Sequence, residues 1–469
     1  MSLKIYNTLT QKKEEFVPLN SKFVGMYVCG PTVYGYPHLG HAKSYVFFDI
    51  VNRYLSFLDY KVKYVQNITD VGHLVNDADE GEDKIQKQAK KESLDPYAIA
   101  YKYENIYFEC MDKLNIKRPT ISCRATGHII EIIEMIKTLI DKGYAYVTEK
   151  GNVYYDISKF KDYGCLSNRS ITDALSGKRI NVATDKRHEE DFALWKKADN
   201  THIMKWNSPW SIGYPGWHIE CSVMAKKYLT DSFDIHGGGM ENMFPHHECE
   251  IAQSTSANGH PFAKYFIHNN LLTINGQKMG KSLGNFITLP DLFSQYNPNI
   301  IRFYLLQFHY RKPTDFEDKK LFETILNYNK ICSSFKSLPL PSDKITTKEI
   351  QAIADKFLEA MNDDFNTSLA ITYIYDLMKL VNKTKDEDIL KDVAYFNETY
   401  IKGILGLIFD STRDISDLSD SCIIYLIELR NKFRKEKNYL LADEIRDKLS
   451  SLNIEINERD PKPSYKIKM

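Results

Sequence analysis

A thiol and a pair of imidazoles occur within one short tract, Cys29-Gly30-Pro31-Thr32-Val33-Tyr34-Gly35-Tyr36-Pro37-His38-Leu39-Gly40-His41. The thiol points to a metal. Two histidines with a glycine between them, at a helix start, point to phosphate, because free backbone N–H groups and the helix dipole already favour an anion there. Gly40 leaves room for a ligand to approach the backbone. Two further segments carry ligand types: Gly216-Trp217-His218-Ile219-Glu220-Cys221, and Pro245-His246-His247-Glu248-Cys249-Glu250 after a glycine run. If the second is helical, His246 and Glu250 lie four residues apart on one face. Cys29, Cys221, His246 and Glu250 then offer two thiolates, an imidazole and a carboxylate, all zinc-binding types. The mixture suits a functional site better than a purely structural one. No CxxC pair anchors the set, and His247 and Cys249 compete for the same roles. Taken alone, a cysteine at a strand end such as Cys29 is usually a small buried hydrophobe.

The second phosphate candidate is Asn275-Gly276-Gln277-Lys278-Met279-Gly280-Lys281-Ser282-Leu283-Gly284-Asn285. Its spacing fails the Walker A pattern. It reads as a mobile basic loop able to close on a triphosphate, with a solvated turn as the plainer alternative.

Positioning these residues requires a particular order of elements. Phe23 to Cys29 reads as a strand broken by Gly30-Pro31; a helical pattern starts at Leu39; Lys61 to Thr69 reads as a second strand. This βαβ unit predicts an α/β, Rossmann-like, doubly wound parallel sheet, with ligands beyond the carboxyl ends where Cys29 and Thr69 stand. Asp95 to Leu114 and Gly127 to Lys142 read as helices, and Tyr144 to Tyr155 as strand-rich. Strand signals return at Phe233 to Ile235 and Phe262 to Leu272, and the pattern after Pro298 is helical almost to the end. The expected organisation is a catalytic first half over 1–125, an inserted module over 126–200, and a catalytic second half and stem over 201–335. An α-helical bundle over 336–412 and a small C-terminal domain over 413–469 follow. The length of 469 residues accommodates this number of domains. The formal net charge of zero means that any nucleic-acid contact rests on local patches. Eight scattered cysteines without disulfide-like spacing read as cytoplasmic, and no run approaches a membrane span.

His38-Leu39-Gly40-His41 resembles the HIGH signature of class I aminoacyl-tRNA synthetases, and Lys278-Met279-Gly280-Lys281-Ser282 their KMSKS signature, in the same order and wide separation. The tracts Tyr27 to Tyr34, Gly216 to Cys221, Asp234 to Gly239, Phe244 to Glu250 and Lys281 to Phe286 resemble blocks of one family, the cysteinyl-tRNA synthetases. The resemblance covers essentially the whole chain.

This resemblance implies an ATP-dependent ligase that activates L-cysteine as the adenylate and transfers it to cysteine tRNA. It implies zinc on Cys29, Cys221, His246 and Glu250, binding the substrate thiolate and so rejecting serine. A soft thiolate binds zinc far better than a hydroxyl does. It implies catalytic and ATP-binding roles for His38, His41 and Lys281, with Lys278 as the loop's other phosphate candidate, and an amino-acid pocket lined by Thr69 and Trp217. Mg2+ accompanies ATP, and family members are commonly monomers. Phe357 to Thr367 resembles the start of the family's helical bundle. The Lys- and Arg-rich helical stretch from Ile424 to Leu449, with Tyr465 beyond it, is implied as the anticodon-reading end. Two departures stand out. Gly280 replaces the signature's serine. An acidic segment, Val71 to Glu82, intervenes after Asp70; its Gly81 comes one position early for a calcium loop and the closing glutamate is missing, so it reads as a solvated loop. A cysteine ligase acting on an amino sugar is the nearest alternative, and the basic helical tail argues against it. A non-enzymatic RNA-binding protein on the same scaffold is a second, and intact histidines and lysines in both signatures argue against that.

Overall fold

Five strands build the central sheet: β1 (Val24–Val28), β2 (Val62–Ile68), β3 (Ile121–Arg124), β4 (Phe233–Gly239) and β5 (Ala263–Asn269). All neighbours are parallel, in the order β5-β4-β1-β2-β3. The computed structural model describes residues 2–72, 83–169, 185–280, 284–409, 415–451, 454–457 and 465–467. Lys281 and nearly all of the acidic segment, 73–82, lie outside the described residues. Every residue of β1 and β4 is buried, as expected for parallel strands covered on both faces.

Helix α1 (Leu39–Phe57) connects β1 to β2 and buries most of its length. It packs on β4 at Gly237, where a Cβ would stand 2.3 Å from the Phe48 ring. From β1 the chain turns toward β2 and β3, while β4 and β5 extend the other edge. The strand order therefore reverses between β1 and β4, which opens a crevice beyond their carboxyl ends. Cys29 follows β1 there. Gly30 permits the tract to lie against β2, since a Cβ would fall 1.6 Å from the Asn67 carbonyl oxygen. The tract then pairs with Thr69: Thr69 N–H donates to Pro31 O at 3.1 Å and Val33 N–H to Thr69 O at 3.1 Å.

Between β3 and β4 stands a separate antiparallel sheet, ordered Ala145–Val147, Val153–Tyr155, Phe192–Lys197, Ile212–Pro215, Trp206–Asn207. Its strand Ile212–Pro215 leads directly into α2 (Trp217–Tyr228), capped by Gly216. After β4, a widened turn at Met243–His247 feeds α3 (Glu248–Asn258).

The lysine segment departs from a simple loop. Leu272–Ile274 and Gln277–Lys278 form a hairpin whose two turn residues, Asn275 and Gly276, have φ of 49° and 75°. Consecutive positive φ values make the tight turn that asparagine-glycine favours. Thr314–Phe316, inside a stretch that reads as helical, adds in parallel to Leu272–Ile274. Lys278 thus lies on a strand.

Helix α4 (Pro298–Leu306) carries Arg302, which is fully buried. Its guanidinium meets Asp49 of α1 at 2.5 Å and donates to Leu405 O at 2.8 Å and Leu114 O at 2.9 Å. Helices Lys348–Asn362, Thr367–Val381 and Glu387–Phe396 follow, and Asn366 caps the second by accepting from Leu369 N–H. The chain divides into two compact units, 1–328 with 338–408, and 329–337 with 409–469. In the smaller unit, helices Ile415–Lys435 and Tyr439–Ser451 precede a hairpin of Ile454–Ile456 and Tyr465–Ile467. Ile423, Ile427 and Leu449 form its core, with Ile454 and Tyr465 against it. The basic stretch read as one helix is two, parted where Lys437 takes a φ of 57°.

Candidate metal and nucleotide site

Four elements converge on one buried cluster. Cys29 comes from the end of β1, Cys221 from the first turns of α2, His246 from the turn before α3, and Glu250 from α3 itself. One ligand atom from each lies within 4.8 Å of the others. Cys29 Sγ is 3.9 Å from Cys221 Sγ and 3.6 Å from Glu250 Oε1; His246 Nε2 is 3.6 Å from Cys221 Sγ and 2.8 Å from Glu250 Oε1. All four are buried. This donor set fits a metal site. Among the described residues a second group, Cys29, His236, His247 and Glu250, shares two of its members.

The histidines form a relay beneath the cluster. His236 Nε2 is 2.5 Å from Glu250 Oε2, and its Nδ1 is 3.2 Å from Tyr27 O. His247 Nε2 is 3.2 Å from Cys29 Sγ; its Nδ1 is 2.8 Å from His268 Nε2, and His268 Nδ1 is 2.9 Å from Thr8 Oγ1. On the other side, His218 Nδ1 sits 2.8 Å from His246 Nδ1, fixing the imidazole that faces the cluster.

Burial opposes ionisation of both thiols. At Cys221 the hydrogen bond from Cys29 and the charge of His246 outweigh it and bring the pKa below the ordinary thiol value; at Cys29 burial is reinforced by Cys221 and Glu250, which push it up. Burial would also discharge His246, but Glu250 and Cys221 raise it to about 10. Burial and His236 hold His247 well below its usual value, and the same two causes bring His268 to about 3. Glu250, held well below the usual carboxylate range by His236 and His246 in spite of its burial, thus faces a protonated His246, with His247 and His268 neutral behind them.

Trp217 and Thr69 border the cluster. The Trp217 ring stacks on His246, with centroids 4.2 Å apart and planes at 21°. Thr69 Oγ1 donates to Glu220 Oε2 at 2.9 Å. Glu220 is fully buried one residue before Cys221.

The histidine pair starts α1. His38 is the N-cap, with its backbone N–H 3.2 Å from His41 Nδ1, and the two rings stack at 3.7 Å. Burial and the neighbouring His38 hold His41 well below its ordinary pKa. The segment after the lysine loop lies directly against them: Leu39 N–H donates to Ile287 O at 3.2 Å, Leu289 N–H to Pro37 O at 2.8 Å, and Phe286 meets the His38 ring edge-on at 5.2 Å. A Cβ on Gly40 would stand 3.7 Å from Met279 Cε. The two signature segments are therefore adjacent.

Sequence reasoning missed Glu220, His236, His247 in its bond to Cys29, His268 and Phe286. The His236-Gly237-Gly238-Gly239 run and the doubled histidine were available signals. Their meaning depends on which strands are neighbours, and periodicity does not carry that.

Residues 15–325 match the family of tRNA synthetases class I (C) catalytic domain, and residues 356–410 match the DALR domain. A cysteine–tRNA ligase of Chlorobium chlorochromatii is 48% identical over 98% of both chains, and one of Chlorobaculum tepidum 47% identical over 97% of both. In fold, the chain is similar to Mycobacterium tuberculosis methionyl-tRNA synthetase in complex with methionyl-adenylate, with a TM-score of 0.59 at 14% identity over 82% of this chain and 92% of that one. A parallel sheet ordered β5-β4-β1-β2-β3, a mixed thiol, imidazole and carboxylate cluster at its switch point, and full-length likeness agree: the chain belongs to the cysteine–tRNA ligase family of class I aminoacyl-tRNA synthetases.

Proposed function

We propose that the chain activates L-cysteine with ATP and transfers it to cysteine tRNA, with zinc held by Cys29, Cys221, His246 and Glu250. The observation that carries this reading is the convergence of those four buried groups from four elements, beside the paired histidines of α1. A zinc ion held by these four residues would supply selection, because a soft thiolate binds zinc far better than the hydroxyl of serine does. Packing alone discriminates poorly between such isosteres.

Trp217 holds the His246 ring by stacking, and Thr69 offers its hydroxyl at the pocket wall. His41, neutral by burial, contributes hydrogen bonding rather than charge, and sits with His38 at the positive end of α1 where the α-phosphate would lie. Lys278 and Lys281 supply charge to the departing pyrophosphate, and Mg2+ accompanies ATP. The cysteine carboxylate attacks the α-phosphorus, and the terminal ribose hydroxyl of tRNA then displaces AMP. Orientation and electrostatics carry most of the rate. The smaller unit, with Tyr465 on its core, is the candidate for reading the anticodon. One chain carries every group named, so a monomer in the cytoplasm suffices. Among the described residues no helix is long and apolar enough to cross a membrane.

The test is charging of tRNA with cysteine against serine, with zinc measured on the same sample. Charging with cysteine alone is expected. Well-folded, zinc-loaded protein lacking cysteine-dependent ATP–pyrophosphate exchange would overturn the reading.

A further inference from the structure

Glu220 takes no part in the cluster of candidate ligands, yet its carboxylate is fully buried at the cluster's edge. One oxygen, Oε2, accepts from Thr69 Oγ1 at 2.9 Å. The other, Oε1, has no hydrogen-bond partner among the described residues. A buried carboxylate oxygen left unpaired is costly, and a native site that retains one has a use for it. Oε1 lies beside Gly72, where a Cβ would stand 3.8 Å from it; Gly72 has a φ of 76°, and the same Cβ would fall 2.4 Å from Pro215 O.

We propose that Glu220 Oε1 receives the ammonium group of the amino-acid substrate, with Thr69 holding the carboxylate in place. This rests on the reading of the site as a cysteine-activating one. Cys221 follows Glu220 on the same helical turn, so a thiol substrate anchored at the Cys29–Cys221 face has its amine within reach of that turn. Asp70 is already satisfied, accepting from Thr126 N–H at 2.9 Å and Thr126 Oγ1 at 2.5 Å. A hydrogen-bond-donating cation meets the unpaired oxygen, and an ammonium alone among the substrate's groups is cationic.

The assignment makes a prediction that a merely structural role does not. Binding of three thiols to the zinc-loaded full chain is measured by calorimetry: L-cysteine, cysteamine, which keeps the amine and lacks the carboxylate, and 3-mercaptopropionate, which keeps the carboxylate and lacks the amine. Glu220→Gln preserves size and can still accept from Thr69. It is expected to weaken L-cysteine and cysteamine about 10- to 100-fold, leave 3-mercaptopropionate within about twofold, and keep the full metal content. Glu220→Asp, with its charge at shorter reach, is expected to lose less for the same two ligands, and serves if the glutamine variant misfolds. Unchanged affinity for L-cysteine, or equal weakening of all three thiols, overturns the assignment. If the unaltered protein binds none of the three, the cysteine-activating reading itself falls, an outcome distinct from either.

Discussion

Cys221 is the candidate ligand whose loss is most diagnostic, because it enters the cluster from a helix that also carries Trp217 and Glu220. Cys221→Ala is expected to weaken zinc binding by more than about 100-fold, beyond what loss of an orienting partner alone produces, measured as metal retained after dialysis against a chelator. His236→Ala, by contrast, removes a partner of Glu250 and is expected to lower affinity only about 10- to 100-fold. Should His236→Ala strip the metal while Cys221→Ala keeps it, the second group of donors is the true one. Lys281→Ala is expected to retain full metal and slow adenylate formation about 100- to 1,000-fold, as removal of a transition-state donor does; pyrophosphate exchange reads it. His41 gives a pH signature. Folded, it resists protonation; unfolded, it takes up a proton near pH 6.5. Below that value the unfolded chain binds more protons, so stability falls as pH drops from about 6.5 toward the folded pKa, and His41 has no effect above it. His41→Gln is expected to flatten the acid limb of a Tm–pH profile. The metal candidates were legible because they are rare types in glycine-marked tracts. Glu220 and His268 were not, because each acquires meaning from a distant neighbour: Thr69 is 151 residues from Glu220, and Thr8 is 260 from His268.

At the level of elements, the βαβ start was readable from its periodicity: an apolar run, a glycine-proline break, then spacing of three to four. The lysine hairpin was not, since two strands of three and two residues leave no periodic trace. Its turn chemistry is the one local clue. Gly276 adopts a φ of 75°, and its N–H donates to Asp315 Oδ1 at 2.9 Å. Gly276→Val is expected to destabilise the hairpin by about 1–2 kcal/mol and to raise the KM for ATP with cysteine affinity unaltered, since Lys278 hangs from this turn. Unchanged ATP dependence would separate the hairpin from nucleotide binding. The strand Thr314–Phe316 went unread for a similar reason. It is three residues among helical patterns, recruited by the edge of Leu272–Ile274.

Across the larger unit, Arg302 and Asp49 make a buried ion pair that ties α1 and α4 to the backbone at Leu114 and Leu405. Gly406 sits so close that a Cβ would fall 2.4 Å from the guanidinium. Asp49 also accepts from Arg53 at 2.7 Å and Lys117 N–H at 2.9 Å. Removing one partner leaves the others charged and buried. Arg302→Met is expected to cost about 3–5 kcal/mol, read by chemical denaturation. The double variant Asp49→Leu with Arg302→Met is expected to recover little of it, because Arg53 and Lys117 N–H then lose their acceptor. A doubly wound sheet followed by helices was foreseeable from the order of patterns. This hub was not, because a lone arginine in an apolar helix declares no partner.

The candidate metal donors are also far apart in time. Cys29 and Glu250 are 221 residues distant along the chain. At a synthesis rate of about 5–20 residues per second, roughly 10 to 45 seconds separate their emergence. Cys29 waits through the making of the antiparallel module before its companions exist. An ion caught in the finished cluster therefore certifies that β1, α2 and α3 have met. Metal content then doubles as a census of chains that completed their fold.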